Sequence, residues 1–136
     1  MPTPALSSTG RLVVVVDDDA LVLRALGRAL AAAGYAVRTL ATAGELLDGE
    51  LPADLAVALI DVHLPDMNGL DLMERLRARR PGLPVVLMTA EANSSLRSRA
   101  LLQRATAWLD KPFEERQLLE ALGRVLDGHH PLPDGA

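Results

Sequence analysis

The sequence predicts an α/β protein, a doubly wound parallel sheet of five strands with helices on both faces. Two observations predict it. Short apolar runs rich in Val, Leu and Ile alternate five times with segments of helical periodicity. The runs Leu12 to Val16 and Leu55 to Ile60 are apolar throughout. They lack the alternation of a half-exposed strand, so both of their faces must be covered. Right-handed crossovers with one reversal of winding place helices on both sides of such a sheet.

The first strand, Leu12 to Val16, leads into a helix over Ala20 to Ala33. Val22, Leu23, Leu26 and Leu30 share one face of it, Asp19 stands at the N-cap position, and Gly34 stands where a C-terminal glycine belongs. Tyr35 to Leu40 is the second strand. Thr42 and Glu45 have capping-box spacing and open a short helix that ends near Gly49. Leu55 to Ile60 is the third strand, and a helix over Gly69 to Arg79 is stopped by Pro81. Pro84 to Met88 is the fourth strand. Ser94 to Gln103 reads as a helix with a thin apolar face of Leu96, Leu101 and Leu102. Thr106 to Leu109 is a short fifth strand. Glu114 to Leu126 is an amphipathic helix with Leu118, Leu119, Leu122, Val125 and Leu126 on one side. The expected domain is 11–127, with a flexible leader over 1–10 and a flexible tail or truncated linker over 128–136.

The length of 136 residues fits one domain that buries a core without staples. The chain has no cysteine, which excludes disulfides, thiolate metal sites and thiol catalysis. No basic start followed by an apolar run marks a secretory signal, and no apolar run is long enough to span a bilayer. A cytoplasmic location without membrane contact is the expectation. The net charge of −4 argues against direct nucleic-acid binding by the bulk surface. Arg75, Arg77, Arg79 and Arg80 form a local basic run, which a solvated helix end explains, because cations suit that end of the helix dipole. Of the 14 basic residues only Lys111 is a lysine, which hints that its position needs a compact ammonium.

Ligands of doubly wound sheets bind beyond the carboxyl ends of the strands, so the residues that follow each strand carry the chemistry. Asp17, Asp18 and Asp19 follow the first strand, Asp61 the third, Thr89 the fourth, and Lys111 with Pro112 the fifth. If the first and third strands are neighbours, carboxylates converge and repel one another unless a cation sits among them. Mg²⁺ is the natural answer, because it takes hard oxygen ligands. A divalent cation would also remove the repulsion between a carboxylate nucleophile and a phosphoryl group. A lysine ammonium and a threonine hydroxyl can hold the other phosphoryl oxygens. The product would be an aspartyl phosphate. Each residue taken singly has a plainer explanation: Asp19 as a helix cap, Asp61 in a turn, Thr89 as a cap, Lys111 at the surface. Four polar positions at four strand ends together favour the chemistry.

The segments VVVVDDDALVLRAL, LIDVHLPDMNGLDLMERL, VVLMTAE and WLDKPF, in that order and spacing, resemble the receiver domain of bacterial two-component response regulators. The resemblance covers Leu12 to Leu126. It implies a flavodoxin-like sheet of strand order 2-1-3-4-5 and a phosphorylation-activated signalling switch. Asp61 would be the phosphoacceptor. Asp17 and Asp18 would be the acidic pair for Mg²⁺, for which Mn²⁺ can substitute, with Asp18 the direct ligand. Asp61 and the backbone carbonyl of His63 would complete the protein ligands. Thr89 would be the switch hydroxyl, Trp108 the aromatic switch residue, and Lys111 the phosphoryl partner, joined to Pro112 by a cis bond. The donor would be a phosphohistidine on a sensor histidine kinase or histidine phosphotransfer protein. Downstream, the resemblance implies a protein target or an output domain of its own, and a homodimer that forms on phosphorylation. Self-phosphorylation and slow autodephosphorylation would be the only catalysis.

The chain departs from the family in three places. Arg104 and Ala105 replace the usual Gly-Ala pair, the helix over Ser94 to Gln103 carries Arg97 and Arg99, and Trp108 is bulkier than the usual Tyr or Phe. The output face of the family, made by that helix, the fifth strand and the last helix, is therefore atypical here. His63 and Glu91, two residues beyond Asp61 and Thr89, are expected to tune the lifetime of the acyl phosphate. Two other classes compete. A flavin carrier of the same topology would need a phosphate-cradling loop where three carboxylates stand. An aspartyl-nucleophile phosphohydrolase matches the spacing of Asp17 and Asp19 but would need a cap domain to bind its substrate. No helix-turn-helix follows the last helix, so the chain is expected to be a stand-alone receiver or a receiver fragment of a DNA-binding regulator.

Overall fold

A computed structural model describes residues 11–90 and 105–127. Strand β1 (Leu12–Val16) is followed by α1 (Ala20–Ala32), β2 (Ala36–Leu40), α2 (Ala43–Leu47), β3 (Leu55–Asp61), α3 (Gly69–Arg79), β4 (Val85–Thr89), β5 (Ala107–Asp110) and α4 (Glu115–Leu126). The expected helix over Ser94 to Gln103, the leader, the tail, Glu91 and Arg104 lie outside the described residues.

All five strands are parallel, in the order β2-β1-β3-β4-β5. The side chains of successive strand residues point to opposite faces and sort the core into two halves. On one face Val14, Val16, Ala58, Ile60, Val85 and Leu87 pack with Leu46 of α2 and Leu70, Met73 and Leu76 of α3. On the other face Val13, Val15, Val57, Leu59, Val86 and Met88 pack with Leu26 and Leu30 of α1 and Leu118, Leu122 and Val125 of α4. β1 and β4 are buried along their whole length. Their sequences are therefore apolar in both parities. Leu30 and Leu72 are fully buried, and truncating such a leucine to alanine costs about 2–5 kcal/mol.

Side chains placed at the helix ends fix where each begins. Asp19 caps α1 by accepting from Leu21 N–H at 2.9 Å, and Asn68 caps α3 by accepting from Leu70 N–H at 2.7 Å. Thr42 accepts from Glu45 N–H at 3.2 Å, while Glu45 reaches back to the Ala41 N–H instead of that of Thr42. Glu114 is the cap of α4 and not its first residue; its N–H donates to Gln117 at 2.8 Å. Gly34 closes α1 at a φ of 100°, a conformation that costs glycine nothing. No described helix is long and apolar enough to cross a membrane.

Candidate functional site

β1 and β3 are adjacent, so their carboxyl ends deliver Asp17, Asp18 and Asp61 to one place. Carboxylate oxygens of the three lie within 4.8 Å of one another. Asp61 is the last residue of β3 and Thr89 the last of β4; the ladder continues one residue beyond each apolar run. Asp61 pairs with Met88 and Thr89 with Asp110. Asp17 and Thr89 are fully buried, Asp61 is nearly so, and Asp18 is exposed.

Lys111 enters from the loop after β5. Its N–H donates to the Thr89 carbonyl at 2.7 Å, and its bond to Pro112 is cis. Its Nζ lies 2.5 Å from Asp17 Oδ2 and 3.3 Å from Asp61 Oδ2. Asp17 Oδ1 accepts from Asp19 N–H at 2.9 Å, and Asp61 Oδ1 accepts from His63 N–H at 3.0 Å. The backbone and one ammonium thus hold both buried carboxylates.

The charge balance stays negative, with three carboxylates facing one ammonium. Burial raises the Asp61 carboxyl above its ordinary value of 3.8, and the Asp17 charge adds to this. The His63 amide and Lys111 oppose the rise without cancelling it. Burial alone would lower Lys111, but the hydrogen bond to Asp17 and the charges of Asp61 and Asp17 outweigh it. Its pKa rises above the ordinary 10.5. The donor set contains only hard oxygens, with one carboxylate open to solvent. That suits Mg²⁺, a hard cation that keeps part of its water shell.

Backbone packing sets the floor of the site. Gly69 opens α3 directly beneath the Asp61–Val62 peptide, where its N–H donates to the Val62 carbonyl at 2.7 Å. A Cβ at Gly69 would lie 2.8 Å from Val62 Cα and closer still to the Asp61 carbonyl oxygen. The sequence motif contained this glycine, but its role shows only in three dimensions. The structure also places Trp108 on β5, half-buried against the α3 side of the core, with its Nε1 donating to Asp110 Oδ1 at 2.9 Å. His63 is exposed at the rim.

Comparison with known proteins agrees with this geometry. The family model described as "Response regulator receiver domain" matches residues 13–123. The DNA-binding transcriptional regulator NtrC of Rhizobium meliloti is 36% identical over 118 residues, covering 87% of this chain and 24% of that regulator. The transcriptional regulatory protein FixJ of Azorhizobium caulinodans is 33% identical, over 81% of this chain and 52% of FixJ. The chain thus spans about a quarter of the NtrC relatives and about half of FixJ. Among solved structures, a CheY-like receiver domain protein from Methanospirillum hungatei superposes with a TM-score of 0.79 at 33% identity, covering 87% of this chain and 94% of that one. The non-phosphorylated HemR receiver domain from Leptospira biflexa gives 0.81 at 29% identity, with 89% and 98% covered. The family model spans most of the chain, and the NtrC and FixJ relatives exceed 30% identity over more than four fifths of it: the chain belongs to the response regulator receiver domains, the phosphorylation switches of two-component signalling.

Proposed function

We propose that Asp61 is the phosphoacceptor of this receiver, and that Asp18, Asp61 and the His63 backbone carbonyl hold Mg²⁺ beside it with Asp17. The convergence of Asp17, Asp18 and Asp61 around Lys111 carries the reading. Mg²⁺ bound there would neutralise charge on an incoming phosphoryl group. An Asp61 carboxylate oxygen attacks phosphorus, the phosphorus–nitrogen bond of a phosphohistidine breaks, and the imidazole leaves with the bonding electron pair. His63 N–H holds the other oxygen through its bond to Oδ1 and so orients the carboxylate. In this reading Lys111 would turn from Asp17 and Asp61 toward a phosphoryl oxygen, and the Thr89 hydroxyl would serve the same group from β4.

The donor in this reading is a sensor histidine kinase or a histidine phosphotransfer protein in the cytoplasm. The output is a protein target or a further domain, since NtrC and FixJ are both transcriptional regulators longer than the matched region. Thr89 and Trp108, near the ends of adjacent paired strands, would carry the change outward. His63, and Glu91 outside the described residues, would set the lifetime of the acyl phosphate. The test follows Trp108 emission, the sequence having a single tryptophan. Mg²⁺ and then beryllofluoride should each give a saturable change, and Asp61→Asn should abolish the beryllofluoride response. A response that survives in Asp61→Asn would remove Asp61 from the acceptor role.

A further inference from the structure

The loop between β3 and α3 contains another carboxylate, outside the acidic cluster. Asp66 lies five residues beyond Asp61 and is exposed. Both of its oxygens are engaged by the backbone of α2. Ala43 N–H donates to Oδ1 at 3.0 Å and Gly44 N–H donates to Oδ2 at 2.9 Å. These are the first two amides of α2, which have no partner within the helix. Thr42 satisfies the third, at Glu45. The start of α2 is therefore capped partly by its own sequence and partly by a residue 22 and 23 positions away. The hydrogen bonds donated by the Gly44 and Ala43 amides hold the Asp66 carboxyl below its ordinary 3.8. Gly44 makes the approach comfortable, since a Cβ there would lie 3.3 Å from Asp66 Oδ2.

This contact joins the two sides of the site. α2 follows β2, whose Leu40 carbonyl accepts the Asp17 N–H at 3.0 Å. On the other side, His63 stands three residues before Asp66, and its N–H holds Asp61 Oδ1. We infer that Asp66 is a positioning residue for the magnesium site, clamping the loop that carries His63 to the start of α2 and so to the strand ends that hold Asp17 and Asp18. The inference rests on the reading of that site proposed above. In this role Asp66 acts through its bonds to the Ala43 and Gly44 amides, outside the carboxylate cluster of Asp17, Asp18 and Asp61. It fixes the spacing of the groups in that cluster, as partners beyond the ligands commonly do at metal sites.

The full chain is titrated with Mg²⁺ by Trp108 emission, as wild type, Asp66→Ala and Asp66→Glu. Glu keeps the charge but carries the carboxylate past the two amides. Both variants should bind Mg²⁺ more weakly, by about tenfold. Reciprocity adds a second readout: Mg²⁺ should slow hydrogen exchange at the Ala43 and Gly44 amides of the wild type, which a cap of structural value alone would not show. Wild-type affinity in Asp66→Ala overturns the clamp. So does wild-type affinity in Asp66→Glu beside a weakened Asp66→Ala, which would reduce the effect to charge. If Asp66→Ala does not fold, exchange in the wild type decides, and amides indifferent to Mg²⁺ overturn the proposal. Asp18→Asn and Asp61→Asn separate the two levels: unchanged Mg²⁺ binding in both would remove the metal site itself.

Discussion

Lys111 is held closer to Asp17 than to Asp61, at 2.5 Å against 3.3 Å. Asp17 is fully buried, so its charge depends on that ammonium for compensation. Removing one partner of a buried pair leaves the other unpaired, which costs about 3–5 kcal/mol. Lys111→Ala should therefore lower stability by about 3 kcal/mol in chelator, measured by urea denaturation, and Mg²⁺ should restore part of the loss. The sign of the pH dependence follows from the raised Lys111 pKa. The contribution of the pair is fully present below 10.5 and is lost as pH rises through the folded value. Wild type should thus lose stability at the alkaline end more steeply than Lys111→Ala.

Asp61 acts in the opposite sense. Its folded pKa lies above 3.8, so the folded metal-free protein holds that proton more tightly than the unfolded chain. Folding gains from the proton at low pH, and the gain disappears as pH rises from 3.8 through the folded value. Asp61→Asn cannot ionise and should lack this slope. In chelator at neutral pH the variant should be the more stable protein. Saturating Mg²⁺, which in the proposed site would bind the ionised carboxylate, should narrow or reverse the difference. Equal stabilities in chelator across the acid range would contradict the origin assigned to the shift.

Gly69 offers a steric test of the same floor. A methyl group there meets the Asp61–Val62 backbone, which has no rotamer to yield. Overpacking of this kind costs about 1–3 kcal/mol, and a rigid neighbour places Gly69→Ala at the upper end. Because the displaced atoms are the backbone of Asp61 and Val62, Mg²⁺ affinity should fall as well. Gly123, where an added Cβ meets nothing within 4 Å, is the control: Gly123→Ala should be neutral or stabilising and leave Mg²⁺ binding unchanged.

The strands were legible because burial on both faces of the sheet leaves uninterrupted apolar runs, as in LVVVV of β1. Their ends were less so. Asp61 and Thr89 belong to the ladder, but their polarity ends the apolar run one residue early. The acidic site was readable from residue types at strand ends. Lys111 could be placed near it, yet its choice of Asp17, 94 positions away, is a matter of geometry. Asp66 left no usable signal, since its partners are backbone amides that any sequence supplies. Gly69 is similar, because its need for a bare Cα comes from a neighbour defined only by packing.

Trp108 and Asp110 lie two residues apart on β5, and the indole Nε1–H donates to the Asp110 carboxylate at 2.9 Å. A phenylalanine could not make this bond. Trp108 also packs against the core on the α3 side, so the ring is restrained by packing as well as by this hydrogen bond. If the ring moves when Thr89 turns toward a phosphoryl group, that movement must break the hydrogen bond. The bond then stabilises the unphosphorylated arrangement and opposes activation. A charge-assisted bond at a partly exposed position contributes about 1 kcal/mol, which corresponds to about fivefold in an equilibrium. Asp110→Ala should therefore lower the midpoint of the beryllofluoride titration by about fivefold, while Asp110→Asn, which keeps an acceptor oxygen, should fall between it and wild type. Trp108→Phe should remove the dependence on Asp110, and with the tryptophan gone this variant is followed by phosphorylation rate with a small phosphoryl donor. A midpoint that stays at its wild-type value in Asp110→Ala would mean that the indole keeps its partner throughout the switch, and that the signal leaves Thr89 by another route.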